Sequence, residues 1–214
     1  MGGVLLRLDI NRCIKAFKEK AGFETIEDYL NIYHQQGFVG ELEAGDITAD
    51  EFVEECLKRS RPGTTKETVL RCFDEFLIGL NSDMLAFIRE IAPEYDLYIL
   101  SNNNVLSSAR FGEMMTEAGM PFDKYFKKCF FSFRLHQLKP FPEIYRSAIE
   151  GIGLPPEEIL FIDDAPINIE GARKARIQTI LFSEDLDIRK AFAAAVADKS
   201  AAVIADPAQS PTRP

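Results

Sequence analysis

A chain of 214 residues with 46% hydrophobic and 28% charged side chains has room for one good-sized globular domain, or for a core with a smaller insertion. Its net charge of −9 and pI near 4.9 argue against general binding to nucleic acid or to an anionic membrane surface, since both need basic patches. The cysteines, Cys13, Cys56, Cys72 and Cys129, are widely spaced with no Cys-x-x-Cys pair, which argues against zinc and redox motifs and reads as free core thiols. With no signal peptide and no apolar run of bilayer length, the expected location is the cytoplasm.

The first 80 residues read as helices and turns. Ile10, Cys13, Ile14 and Phe17 keep helical spacing, and a second helix is expected from Ile26 to Tyr33. Thr48-Ala49-Asp50-Glu51 is a capping box followed by the apolar positions Phe52, Val53, Cys56 and Leu57. Val69, Cys72, Phe73, Phe76, Leu77 and Leu80 trace one helix face, and no strand is expected between Ile10 and Leu80.

The pattern then alternates. A helix over Ser82–Ile91 precedes a strand at Leu97–Leu100, and a helix over Val105–Ala118 stops at Gly119. A strand at Cys129–Phe133 precedes a helix opened by Pro142, with Pro in the first turn. A strand at Ile159–Ile162, a helix over Ile167–Ala175, a strand at Thr179–Phe182 and a helix over Leu186–Ala197 follow. Strand–helix alternation predicts an α/β fold with a mostly parallel sheet flanked by helices. The expected division is a core of residues 1–9 and 82–198, a helical insert of residues 10–81, and a flexible Ala- and Pro-rich tail, 199–214.

Chemistry-bearing residues stand at strand ends. Ile159-Leu160-Phe161-Ile162 is too short for a helix and ends in the adjacent carboxylates Asp163 and Asp164. Open α/β sheets bind ligands at the carboxyl ends of their strands. Two neighbouring like charges there suit a hard divalent cation such as Mg²⁺, although the same pair could simply cap a helix. Ser101, followed by Asn102-Asn103-Asn104 ahead of a helix, offers hydroxyl, amide and backbone N–H groups to an anion; an ordinary polar turn has the same composition. Lys139, held between Leu138 and Pro140, can present a point charge to a phosphate.

The order hydroxyl, lysine, paired aspartates resembles the haloacid-dehalogenase-like (HAD) hydrolases. Leu97-Tyr98-Ile99-Leu100-Ser101-Asn102 looks like the family's second motif, Leu138-Lys139-Pro140-Phe141-Pro142 like its third, and Phe161-Ile162-Asp163-Asp164 like its fourth. The insert is similar to the family's helical bundle cap, and Gly40–Ile47 is similar to a stretch of those caps. The resemblance extends to about Phe192 and implies a Rossmann-like core. It further implies a Mg²⁺-dependent phosphatase of a small phosphorylated metabolite, most similar to bacterial sugar phosphatases. Ser101, Asn102 and Lys139 would then hold the phosphoryl group, with Ser101 and Lys139 also acting in catalysis. Asp163, Asp164 and the backbone carbonyl of Gly2 would hold the metal.

The family's first motif is a strand ending in Asp-x-Asp or Asp-x-Gly, and its first Asp is the nucleophile. Met1-Gly2-Gly3-Val4-Leu5 matches that motif only from its second residue onward. The expectation is that the nucleophile and its strand precede Met1. The alternative is a non-catalytic phosphate-binding or interaction protein on the same fold. A receiver-type signalling domain also combines paired acids with a lysine, but its acids precede the lysine and it has no helical insert. Gly2 stands where many phosphatases carry a second Asp, so no leaving-group acid is identified. Asp9 reads as a helix cap, Arg12 and His136 as surface residues, and Arg176 as a replacement for the usual Gly at a helix end. Asn11 could face the substrate from the cap.

Overall fold

The computed structural model describes residues 1–30 and 35–204. Met1–Leu6 forms a tight turn in which the Met1 carbonyl accepts from the N–H groups of Leu5 (2.8 Å) and Leu6 (3.1 Å). Strand β1 (Leu6–Leu8) follows, and Asp9 caps helix α1 (Ile10–Ala16) by accepting from the N–H groups of Asn11 (3.0 Å) and Arg12 (3.3 Å). A π-helical turn (Phe17–Ala21) and a 3₁₀ turn (Ile26–Asp28) lead to α2 (Gly37–Ala44), α3 (Ala49–Arg59) and α4 (Lys66–Asp74). The capping box that opens α3 is present in full: Glu51 N–H donates to the Thr48 hydroxyl (3.2 Å) and Thr48 N–H to the Glu51 carboxylate (2.7 Å). The apolar faces of these helices meet in one cluster built on Phe17, Phe23, Phe38, Phe52 and Phe73, with Cys13, Cys56 and Cys72 buried inside it. The cysteines are free.

The rest of the chain forms a larger cluster and a small third one built on Ile144, Tyr145, Ala172 and Ile177. Its elements are β2 (Leu77–Leu80), α5 (Ser82–Ile91), β3 (Tyr98–Ser101), α6 (Val105–Glu117), α7 (Phe122–Tyr125) and β4 (Lys128–Phe131). They continue with α8 (Ser132–Leu135), α9 (Pro142–Ile152), β5 (Leu160–Asp163), α10 (Pro166–Lys174), β6 (Gln178–Leu181) and α11 (Ile188–Ile204). β3 pairs with β4 and β5 with β6, both parallel, with Ser101 opposite Phe131 and Asp163 opposite Leu181. The architecture is therefore α/β with parallel strands flanked by helices. β3 and β5 do not pair with each other; both line an apolar cleft of about 310 Å³ that also touches Met1, Val4 and Leu5. Among the described residues no helix is long and apolar enough to cross a membrane.

Three expectations need correction. The helix drawn through Leu80 ends at Asp74, and Leu77–Leu80 is a strand antiparallel to β1. Helical spacing continues past Phe73, but Phe76 packs on the helical cluster while Leu77 and Leu80 pack on the other. One helix face cannot serve both, so the chain straightens and satisfies its backbone by pairing with Leu6–Leu8. Of the helix expected over Ile26–Tyr33, only the turn Ile26–Asp28 forms, and residues 31–33, like His34, lie outside the described residues. The expected tail begins as helix, because α11 runs through the Ala-rich stretch to Ile204, as alanine's propensity favours. Residues 205–214 lie outside the described residues.

The helical cluster yields a stability prediction. Phe52 is fully buried, with ring centroids 5.6 Å from Phe38 and 4.9 Å from Phe73. Phe52→Ala should cost about 3–5 kcal/mol in urea unfolding followed by circular dichroism. A loss below about 1 kcal/mol would mean that the site collapses around the cavity or that the aromatic packing is not cooperative. Glu75 is the charge hub of the same region, contacting Lys20 Nζ at 2.8 Å and Arg12 Nη2 at 2.7 Å. Hydrogen bonds from Lys20 and then Arg12 lower its carboxyl from 4.5 to about 2. A lowered folded-state value stabilises above the unfolded value and is lost as pH falls through the folded one. The stability gap between the parent and Glu75→Gln should therefore be full above pH 4.5 and close toward pH 2. The pair is exposed, so the gap should be small and should shrink in salt.

Candidate active site

The carboxyl ends of β3 and β5, the loop before α9 and the Met1–Leu6 turn converge on a cavity of about 700 Å³. Ser101, Asn102, Lys139 and Asp164 line one side, and Leu30, Val39 and Glu43 of the helical segment line the other. Ser101 and Asp163 are each the last residue of a parallel strand, so residues 62 positions apart in sequence both stand at the carboxyl end of their strand.

Lys139 is 4% exposed and Asp163 2%, and their side chains meet at 2.6 Å. The Asn102 side chain clamps the lysine backbone, donating to Lys139 O (3.0 Å) and accepting from Lys139 N–H (2.8 Å). The other Asp163 oxygen accepts from Ala165 N–H (3.0 Å) and from the Asn168 amide (2.8 Å). Burial alone would push the Asp163 carboxyl up. The charges of Lys139 and the Met1 α-amine, together with hydrogen bonds from Lys139 and Asn168, outweigh burial and hold it below its ordinary value. For Asp164 the charges of the Met1 α-amine and Lys139 do not suffice. Burial and the neighbouring Asp163 charge hold its carboxyl above the ordinary range. The turn packs so closely on this carboxylate that a Cβ on Gly3, where φ is +75°, would lie 2.0 Å from Oδ2.

The predicted residues therefore come together but divide their work. Asp164 faces the cavity, whereas Asp163 is engaged behind its wall with Lys139. The side chain of Asn102 holds Lys139 in place and is not free for a ligand. Ser101 is 2% exposed and donates its hydroxyl to Asn102 O at 3.0 Å. Gly2 lines the cavity. Among the described residues no group of three or more His, Cys, Asp or Glu side chains is arranged to hold a metal. The Met1 α-amine is buried beside Lys139, Asp163 and Asp164, and burial followed by the lysine charge lowers it to about 6.

Asp9 and Asn11 also line the cavity, while Arg12 makes its ion pair with Glu75. His136 is exposed, 3.6 Å from Asp46, and Arg176 takes a left-handed φ of 64° just past α10. Sequence reasoning passed over Glu43, Asn103 and Ser107, all of which line the cavity. The stretch Gly40–Ile47 marked the loop without singling out Glu43, and Asn103 and Ser107 read as part of a polar turn and helix start.

The buried pair makes a prediction that needs no turnover. Lys139→Met leaves Asp163 charged and unpaired, and should destabilise by about 3–5 kcal/mol in urea unfolding. Adding Asp163→Asn should recover a large part of that loss. Additive losses in the double variant would show that the two side chains do not depend on each other.

A family model described as haloacid dehalogenase-like hydrolase matches residues 1–176. The chain is 32% identical over 195 residues to D-ribitol-5-phosphate phosphatase of Bacteroides thetaiotaomicron, covering 88% of this chain and 92% of that one. It is similar in structure to an HAD family enzyme of the same organism, solved as an aspartate-to-alanine variant with magnesium and inorganic phosphate. That likeness has a TM-score of 0.84 at 28% identity over 90% of this chain and 95% of the other. A predicted HAD-like hydrolase of Porphyromonas gingivalis gives a TM-score of 0.80 at 27% identity, over 91% and 94% of the two chains. These likenesses extend across the Rossmann-like core and the helical segment alike. With strand-end motifs in the family's order and a family match that runs through them, the chain belongs to the haloacid dehalogenase-like hydrolases.

Proposed function

We propose that this protein is a Mg²⁺-dependent phosphatase of a small phosphorylated sugar or alditol, acting through an aspartyl-phosphate whose aspartate is joined directly to Met1. The observation that carries this reading is the setting of the Met1 α-amine, enclosed with Lys139, Asp163 and Asp164. A residue joined there enters the centre of the polar site. The apolar cleft between β3 and β5 reaches the same Met1, and an extended segment in it would pair with both strand edges. The named relative and the magnesium- and phosphate-bound structure support the substrate class and the metal.

The residues present fit the metal. Asp164 is a partly buried carboxylate with no hydrogen bond from another side chain among the described residues, and burial followed by the Asp163 charge holds its carboxyl above the ordinary value, a cost that a bound cation would relieve. Mg²⁺ commonly takes one or two protein carboxylates and completes its shell with water and phosphate oxygens. Asp164 and the Gly2 carbonyl would hold it, with Asp163 adding charge from behind. When bound, it would draw negative charge from the phosphoryl oxygens. Lys139 stabilises the charge that builds on those oxygens, the Ser101 hydroxyl turns from the Asn102 carbonyl to donate to one of them, and Asn102 keeps Lys139 aimed. The helical segment 10–81 acts as a cap over the core, and its wall of the cavity touches the part of the substrate that leaves.

With the preceding strand and aspartate attached, the protein should release phosphate from ribitol 5-phosphate only with Mg²⁺ present, and residues 1–214 alone should show negligible turnover. Strong Mg²⁺-dependent turnover by residues 1–214 alone would overturn the placement of the nucleophile. In the extended protein, Asp164→Asn should weaken Mg²⁺ binding by on the order of tenfold or more in calorimetry. Unchanged affinity would remove Asp164 from the ligand set.

A further inference from the structure

Ser132 stands where the parallel ladder of β3 and β4 runs out. Ser101 and Phe131 are its last pair, so Ser132 on one strand and Asn102 on the other are the next residues. Instead of a further rung, the Ser132 hydroxyl takes hold of Asn103. It accepts from Asn103 N–H at 2.9 Å and lies within donating distance of Asn103 O, also at 2.9 Å. Asn103 is 5% exposed, and among the described residues its N–H has no other partner, so the hydroxyl meets a need the backbone cannot meet itself. Ser132 is a fixed post for this purpose. It is fully buried and opens α8, and its carbonyl accepts from the N–H groups of His136 and of Gln137 (3.3 Å) in the turn that leads to Lys139.

Asn103 in turn carries the polar loop of the site. One residue back, Asn102 clamps the Lys139 backbone; one residue on, Asn104 caps α6 by accepting from Ser107 N–H at 2.9 Å. A shift at Asn103 therefore displaces Ser101, Asn102 and the lysine that Asn102 holds.

The Ser132 hydroxyl also reaches the helical segment. Glu43 lies in the last turn of α2, where carbonyls lack intrahelical partners, and its carbonyl is 2.7 Å from Ser132 Oγ. Glycine at position 45 permits this approach. Its φ is +80°, and a Cβ there would lie 2.1 Å from the Phe133 carbonyl. Asp46 follows, 3.6 Å from His136 Nδ1. A hydroxyl carries one proton, so Ser132 donates to Glu43 O or to Asn103 O, never fully to both.

We infer that Ser132 is a positioning residue, a swivel that joins the seating of the helical segment to the placement of loop 101–103. With the segment seated, the proton goes to Glu43 O; with the segment lifted, it turns to Asn103 O. The hydroxyl accepts from Asn103 N–H throughout, so the loop keeps its place while the segment moves and the hydroxyl is never left without an acceptor. This assignment rests on the phosphatase reading.

The test uses the protein carrying its preceding strand, with ribitol 5-phosphate or p-nitrophenyl phosphate, whichever the parent hydrolyses. Ser132→Ala should lower kcat per folded molecule by about tenfold, because the loop loses its hold, and raise KM by about threefold, because the segment loses its seat. A merely structural role would reduce the folded fraction in circular dichroism and leave kcat per folded molecule within twofold, and that result overturns the assignment. Gly45→Ala disturbs the seat without touching the loop, so it should raise KM by about three- to tenfold and lower kcat less than Ser132→Ala does. In the double variant KM should rise no further than in the worse single variant, since both remove one contact. KM effects that multiply overturn the swivel. Ser132→Ala removes a single buried atom, and its kcat decides the matter if Gly45→Ala does not fold. A parent that hydrolyses neither ester overturns the phosphatase reading, and the assignment falls with it.

Discussion

The buried ion pair between Lys139 and Asp163 is the constraint on which the rest of the site depends. Two charges at 4% and 2% exposure persist only if geometry and hydrogen bonding compensate for lost hydration. The compensation draws in four parts of the chain. Asn102 at the end of β3 clamps the lysine backbone, and Ala165 N–H and Asn168 at the start of α10 fill the second carboxylate oxygen. Tyr145 of α9 donates to Asn168 O at 2.8 Å and so holds that helix start in turn. Gly171 makes room, since a Cβ there would lie 2.8 Å from both the Tyr145 ring and the Pro140 carbonyl. A single electrostatic requirement thereby fixes the relative positions of two strand ends and two helix starts.

The same pair explains why adjacent aspartates behave differently. Asp163 meets its needs inside the protein, so its charge is stable there and presses on its neighbour. Asp164 is left facing a cavity with a carboxyl held above its ordinary range. Active sites commonly carry such unresolved electrostatics, because the ligand supplies the missing partner. On the helical side of the cavity, burial likewise raises the Glu43 carboxyl, against the charge of Lys139.

Much of this was legible in the chain. Short apolar runs ending in polar residues marked β3 and β5, because parallel strands are buried on both faces and must stop where the sheet ends. Ser101, Lys139 and Asp164 could be picked out because each follows such a run or a proline-limited loop. Strand β2 was hidden because Leu77 and Leu80 keep helical spacing with Phe73, and only the presence of two separate apolar clusters decides against a helix. Glu43 was hidden because a lone acid in an acidic chain carries no local sign of burial.

What the sequence determined by itself is the strand–helix alternation after Ser82 and the polar residues at its strand ends, which rest on periodicity and spacing along the chain, while the resemblance of its motifs pointed to the family. Tertiary structure alone decided that Asp164 faces the cavity while Asp163 pairs with Lys139, that Asn102 serves Lys139, and that Glu43 lines the same cavity. The reason is physical. Desolvation and pairing depend on what lies across the cavity, and Glu43 comes to line it with Lys139 and Asp164 only when the helical cluster packs against the rest of the chain.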